Sequence, residues 1–174
     1  MLSYLVIDCI VVSIEHSKLG KYNTAYILTN QGKIRALYNP KIYQIALLSK
    51  SLAKLTEHSN LIYAEFYNIE HVCTPNTHAQ HALSFLTHLA IIYICQLIRY
   101  YVPLNQPCSN IMQACLIALS ALKGQNWKSA WLKFEEHFTH TSDITLSLQN
   151  LYEQYGSVPH LSIRNCLLAK TFDS

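Results

Sequence analysis

Residues 22–38, YNTAYILTNQGKIRALY, carry the clearest secondary-structure signal of the sequence. Residues 22–29 are rich in β-branched and aromatic side chains and are bounded by polar residues, which is typical of a strand, and another strand is expected over residues 33–38. The residues between them, Asn-Gln-Gly at 30–32, have turn chemistry, because the glycine can adopt the positive φ that a tight hairpin requires. The stretch therefore predicts a β-hairpin.

Other short strands are predicted on both sides of this hairpin. Residues 4–14 are rich in Val and Ile, and a polar turn at residues 57–60 marks a second hairpin between residues 52–56 and 61–72. Five strands in the N-terminal part of the chain predict a small closed β-barrel. Residues 42–54 stay open between strand and helix, because their apolar side chains also fit one face of a helix.

From Pro75 onward the apolar residues recur at helical spacing. The predicted helices begin at Asn76 or Thr77, Ser109, Asn126, Asp143 and Pro159. In the third of these helices the large aromatic residues form one apolar stripe, which is more typical of a core than of an interface. The sequence thus predicts an α+β protein, with a basic β-domain over residues 1–74 and an all-helical bundle over residues 75–174.

The composition favours a folded protein of the cytoplasm. Of 174 residues, 51% are hydrophobic and 13% are charged, which is ample for a buried core. The six cysteines are too scattered for a zinc site or a disulfide scaffold, so reduced thiols are expected. Residues 82–98 are apolar but short and contain polar side chains, which favours a buried helix over a membrane span.

The basic residues are concentrated in one part of the chain. Residues 18–54 contain seven of them and no Asp or Glu. The seven are Lys18, Lys21, Lys33, Arg35, Lys41, Lys50 and Lys54. Tyrosines are interleaved at positions 22, 26, 38 and 43, and tyrosine rings stack on unpaired bases while cations contact phosphates. This combination suits single-stranded nucleic acid, and the ordinary alternative is a solvated positive face.

The sequence carries no recognisable catalytic motif. A phosphate-binding glycine loop, a nucleophile elbow and a zinc-protease motif are all missing from it. His81, His88 and Cys95 recur every seven residues of one predicted helix, which puts neighbours about 10 Å apart, too far for one metal ion. His137 and His140 lack an identified third ligand. An enzyme is therefore disfavoured, and no cofactor or metal is implied.

Two segments resemble the RecO family of bacterial recombination mediators. Residues 26–35, YILTNQGKIR, are similar to the family's LLT-x-x-x-GK-x-R segment. Residues 113–138 are similar to its paired helices, whose Phe-Glu signature matches Phe134 and Glu135. The order of a barrel followed by helices is similar as well. The resemblance covers about residues 5–140.

The resemblance implies an OB-fold-like barrel and a role in recombinational DNA repair, by binding and annealing single strands and by loading recombinase. Carried over by position, it makes Lys33 and Arg35 candidates for DNA contact. The charge and tyrosine pattern adds further candidates: Lys18, Lys21, Lys41, Tyr26 and Tyr38.

Protein partners also follow from the resemblance. They are RecR and the acidic tail of single-stranded DNA-binding protein, which is expected to dock on the helical domain. The main cations of that domain are candidates for this contact: Arg99, Lys123, Lys128 and Lys133. A different interpretation stays open, in which the barrel has lost nucleic-acid binding. The chain is then a non-catalytic adaptor whose helical bundle binds partner proteins through an exposed apolar patch.

Overall fold

A computed structural model describes residues 4–18, 20–72, 85–141 and 159–172 of the chain. Its strands are β1 (Tyr4–Glu15), β2 (Asn23–Thr29), β3 (Gly32–Tyr38), β4 (Lys50–His58) and β5 (Leu61–Glu70). Its helices are α1 (Phe85–Tyr101), α2 (Ser109–Lys123), α3 (Trp127–Thr141) and α4 (Pro159–Phe172). The predicted α+β class is confirmed. The helix predicted to begin at Asp143 lies outside the described residues.

The five strands form one sheet in the order β1-β2-β3-β5-β4. β4 also pairs with β1, with Tyr4 opposite Thr56, so the pairings run in a closed ring. The pairings are antiparallel except between β3 and β5, which meet in parallel at Leu37 and Tyr63. Alternate side chains from every strand fill the interior, namely Cys9, Val11, Ala25, Ile27, Ile34, Ala36, Tyr38, Ala53, Leu55, Ala64 and Phe66.

Both predicted hairpins are confirmed. In the β2–β3 hairpin, Gly32 has a φ of 130°. In the β4–β5 hairpin, Ser59 and Asn60 have φ values of 52° and 63°, the two positive values of a type I′ turn, whose twist matches that of the paired strands. Residues 42–54, for which the sequence left strand and helix open, form no helix. Residues 43–49 are irregular, and β4 begins at Lys50.

The helices pack on part of the outer surface of the sheet. Ile10, Val12 and Leu28 project outward from β1 and β2 into the same buried cluster as α1, α2 and α3. The predicted aromatic stripe of α3 belongs to this cluster, because Trp131 and Phe134 are fully buried. Apolar burial on this scale is the main stabilising contribution to such a packing. The sheet and the helices are therefore joined by one shared core.

Two polar contacts support the helical part. The Asn126 side chain accepts a hydrogen bond from the Ser129 amide at 2.9 Å, which confirms the predicted cap of α3. Arg164 of α4 donates from Nε and Nη2 to the Glu135 carboxylate, at 3.0 and 2.7 Å, and the Tyr93 hydroxyl donates to the same carboxylate. Burial and then Glu135 raise the pKa of Tyr93 far above its usual value. Glu135 thus links α1, α3 and α4.

Helix α1 contains most of the apolar segment that raised the membrane question. Its buried residues are Thr87, Ala90, Ile91, Tyr93, Ile94, Cys95, Leu97 and Ile98. These side chains pack against the sheet and the other helices, so the predicted core helix is confirmed. In the described part of the chain, no helix combines the length and apolar content that crossing a bilayer requires.

Candidate nucleic-acid interface

The outer face of the β2–β3 hairpin carries the candidate site. Residues opposite each other in an antiparallel pair project to the same side of the sheet. Ile27 and Ile34 are such a pair and point into the interior. The alternate pairs therefore project outward, and in order along the hairpin they are Leu28 with Lys33, Tyr26 with Arg35, and Thr24 with Leu37.

Lys33 is covered by the end of α1. Its side chain is 5% exposed, and its Nζ donates to the carbonyl oxygens of Ile98 and Arg99, at 3.3 and 2.7 Å. Burial, followed by the neighbouring Arg99, lowers the pKa of Lys33. The last carbonyls of a helix lack partners within the helix, so the ammonium group acts as a cap for α1. The prediction that Lys33 contacts DNA is therefore wrong, because the helix covers its charge.

Tyr38 is also withdrawn from the surface. It is 3% exposed, its ring meets the ring of Phe66 edge-on at 5.9 Å, and its hydroxyl accepts a hydrogen bond from Asn23 Nδ2 at 3.5 Å. Its direction follows from strand alternation, since Ile34 and Ala36 on the same strand also point inward. The prediction that Tyr38 stacks on a base is therefore wrong.

Four predicted cations remain exposed around the hairpin: Lys18, Lys21, Arg35 and Lys41. Because Asn23 pairs with Tyr38, residues 20–22 and 39–42 adjoin the sheet at the same end of the hairpin. Lys21 and Lys41 lie in these two segments, and Arg35 lies three residues, about 10 Å, before the end of β3. None of the ion pairs between described residues involves any of these cations. Their charges therefore face solvent.

Aromatic rings accompany these cations. Tyr22, which is 37% exposed, meets Tyr63 edge-on with 5.5 Å between ring centroids. Lys21 Nζ lies 5.6 Å from the centroid of the Tyr22 ring. Tyr26, a predicted base contact, is half-buried and packs partly against the shared core. Sequence reasoning missed Tyr63, which reaches this place only through the parallel pairing of β5 with β3.

The two remaining cations of the basic stretch lie elsewhere. Lys50 and Lys54 are on β4, which is separated from β2 and β3 by one strand on either side of the ring. Lys54 forms an ion pair with Glu65 at 3.4 Å, and its Nζ lies 5.3 Å from the centroid of the Tyr4 ring. The fold thus divides the seven cations of residues 18–54: Lys50 and Lys54 lie on β4, Lys33 is buried, and the other four are exposed on β3 or in the segments next to β2 and β3.

The four cations predicted to bind protein partners do not share one environment. Arg99 forms an ion pair with Glu15 at 3.1 Å, and Lys123 forms one with Glu70 at 2.8 Å. The Nζ of Lys128 lies 5.7 Å from the centroid of the Trp127 ring, and Lys133 is exposed on α3. Two of these four candidate cations are therefore already paired with carboxylates of the sheet.

Buried thiols in the core are held in their neutral form. Burial raises the pKa of Cys9 to about 11 and that of Cys95 to about 12, so both stay protonated at neutral pH. Within the described ranges, no three His, Cys, Asp or Glu side chains are grouped closely enough to hold a metal ion.

No protein-family model matches the chain, and no curated protein matches it either. The candidate site is thus defined by geometry: exposed cations, the exposed Tyr22 ring and the half-buried Tyr63 ring near the open end of the β2–β3 hairpin. We refer to Lys18, Lys21, Tyr22, Arg35, Lys41 and Tyr63 together as the hairpin surface.

Proposed function

We propose that this chain is a RecO-like, non-catalytic DNA-binding accessory protein of recombinational repair, which holds single-stranded or annealing DNA on the hairpin surface. RecR and the acidic tail of single-stranded DNA-binding protein are its proposed protein partners, and the cytoplasm is its proposed location. The observation that carries the DNA-binding role is the contact of the Tyr22 ring with both Lys21 and Tyr63, together with the exposure of Arg35 on β3 and of Lys41 just after it.

We also propose that the closed sheet is an OB-fold. Such barrels bind oligonucleotides on strands 2 and 3 and on the loops that follow strands 1 and 4. The hairpin surface occupies the corresponding place, since Lys21 lies between β1 and β2, and Tyr63 follows the turn between β4 and β5. Two features support this assignment: the strand pairings form a closed ring, and the exposed cations lie where OB-folds bind oligonucleotides.

The chemistry of the hairpin surface favours unpaired nucleic acid. Lysine and arginine side chains that face solvent release counterions when they neutralise phosphates, which makes binding depend on salt. Tyr22 and Tyr63 already contact each other edge-on, and part of the Tyr22 ring remains exposed. A splayed base can stack on such a ring, whereas a base inside a duplex cannot reach it.

The test is a titration of a fluorescein-labelled single-stranded oligonucleotide with the purified chain, read as fluorescence anisotropy. We expect binding at low salt and competition by unlabelled single strands more than by duplex. Replacing Lys21, Arg35 and Lys41 together by Ala should weaken the affinity at least about tenfold, because three phosphate contacts are lost.

A charge-matched control variant replaces Lys123, Lys133 and Lys170 by Ala, which removes the same net charge from the helical part of the chain, away from the hairpin surface. We expect its affinity to stay within about twofold of the original, since distant exposed charges are screened by salt. Equal losses in both variants would show that only net charge matters and would overturn the proposed site. No binding to any oligonucleotide would favour the adaptor hypothesis instead.

A further inference from the structure

A carboxylate lies on the same outer face as the exposed cations. This carboxylate belongs to Glu15, the one acidic residue of the sequence between Asp8 and Glu57. It pairs with Thr24 of β2, whereas the preceding Ile14 packs into the interior. Since paired residues share a face, Glu15 projects outward on the same side as Thr24 and Leu37. Two strand spacings separate β1 from β3, so Glu15 lies roughly 10 Å from the Arg35 strand.

Arg99 of α1 is paired with this carboxylate. Its Nη2 lies 3.1 Å from Glu15 Oε1, and the side chains are 50% and 42% exposed. The backbone at Arg99 is fixed as well, because its carbonyl oxygen accepts the 2.7 Å hydrogen bond from Lys33. The buried Lys33 thus holds the end of α1 where the Arg99 side chain reaches the strand face.

We propose that Arg99 is a positioning residue of the nucleic-acid interface: it neutralises Glu15 on the outer face of β1–β2–β3 and so keeps that face attractive to phosphates. The proposal rests on the proposed DNA-binding function. In this proposal, a residue of the helical part changes the electrostatic potential of the strand face. Arg99 then has a role other than binding an acidic protein tail.

The proposal predicts that the two single substitutions change oligonucleotide affinity in opposite directions. Arg99→Gln leaves Glu15 as an uncompensated negative charge, so oligonucleotide affinity should fall. Glu15→Gln leaves Arg99 as an additional positive charge, so affinity should rise. The double variant restores a neutral pair and should bind as the original does. At roughly 10 Å and low ionic strength, each single change should alter the affinity about two- to tenfold.

The experiment is a double-mutant cycle, measured by anisotropy with a labelled oligothymidine, with a thermal melt of each variant to verify folding. Lys123→Gln is the matched control. It breaks a comparably exposed pair, with Glu70, at the far end of β5. Its net charge equals that of Arg99→Gln, and its affinity should not change.

Each outcome has a distinct meaning. Opposite effects of the two single changes, with recovery in the double variant, support the positioning role. If the double variant binds as weakly as Arg99→Gln, Arg99 contacts the oligonucleotide directly and the proposal is overturned. Unchanged affinity in Arg99→Gln also overturns it while leaving the DNA-binding function intact. Failure of the original chain to bind overturns the proposed function and this inference with it.

Discussion

Lys33 and Arg35 lie two residues apart on β3 and project from the same face of the sheet, yet the structure gives them opposite surroundings. The Lys33 ammonium group is covered by α1 and donates to two of its carbonyl oxygens. The Arg35 side chain is exposed. Whether a cation on a strand has a structural role or stays available to a ligand therefore depends on what packs over it.

The covered region is held tightly by the segment between α1 and α2. The amide of Asn105 donates to the Lys33 carbonyl oxygen at 2.9 Å, and Leu104 forms a parallel bridge with Lys33. Gly32 lies so close to this segment that an added Cβ would stand 2.4 Å from the Gln106 carbonyl oxygen. The hairpin is therefore anchored at its turn, whereas Arg35 and the segments that carry Lys21 and Lys41 are exposed.

The largest expected effect in this comparison is that of Gly32→Ala. The new methyl group meets the Gln106 backbone, and the φ of 130° is one that residues with a Cβ rarely adopt. We expect the free energy of unfolding to fall by about 2–4 kcal/mol. Urea denaturation measures it. Gly124→Ala is the control, because the added Cβ lies 3.5 Å from its nearest neighbouring heavy atom and the φ of Gly124 is −78°. An equal loss of stability in the control would contradict the anchoring of the hairpin turn at Gly32.

Lys33→Met should also destabilise the fold, by about 1–3 kcal/mol, since it leaves a helix carbonyl without its charged donor. Oligonucleotide affinity of the folded variant should stay close to the original. Denaturation and anisotropy titration, compared with Lys133→Met on the exposed side of α3, separate the two effects. A variant of unchanged stability that binds the oligonucleotide more weakly would instead support the predicted contact of Lys33 with DNA.

Arg35→Ala should show the reverse behaviour. We expect a loss of affinity of about 1 kcal/mol and a salt slope smaller by about 0.7, because one phosphate contact disappears. Stability should change by less than about 0.5 kcal/mol, as for exposed residues in general. The same two assays on Arg35→Ala and Lys33→Met form a crossed pair. Identical profiles for the two variants would remove the distinction between the covered and exposed regions.

The smallest effect is expected for Tyr22→Leu, which keeps an apolar contact with Tyr63 but removes the stacking ring. Affinity should fall by about 0.5–1 kcal/mol, at or below the low end of base–aromatic stacking. Tyr67→Leu is the matched control, because Tyr67 is an exposed tyrosine, 45% exposed, further along β5. Equal losses for both tyrosines would argue against a defined stacking position.

Much of the local structure followed from the sequence because it depends on neighbouring residues. Gly32 and the pair Ser59-Asn60 form their turns through their own backbone conformations, and Asn126 caps α3 within three residues. Tyr38 was predictable as a core residue, since strand alternation sets its direction. The base-stacking prediction for Tyr38 rests on composition, whereas strand alternation directs its side chain into the interior with Ile34 and Ala36.

The remaining features depend on contacts between distant parts of the chain. Lys33 reaches carbonyls 65 and 66 residues away, and the local pattern does not reveal that helix end. Tyr63 joins Tyr22 through the parallel pairing of β3 and β5. The run of cations predicted a basic β-domain, and tertiary packing determines which of these cations stay exposed.

The claim that the cations of the hairpin surface bind the phosphates of single-stranded DNA is tested by the salt dependence of oligothymidine binding between about 50 and 200 mM monovalent salt. If Lys18, Lys21, Arg35 and Lys41 each neutralise one phosphate, the logarithm of the affinity should fall linearly with that of the salt concentration. The expected slope is about −2 to −3. Binding with a slope near zero, or no binding at the lowest salt concentration, would contradict the account.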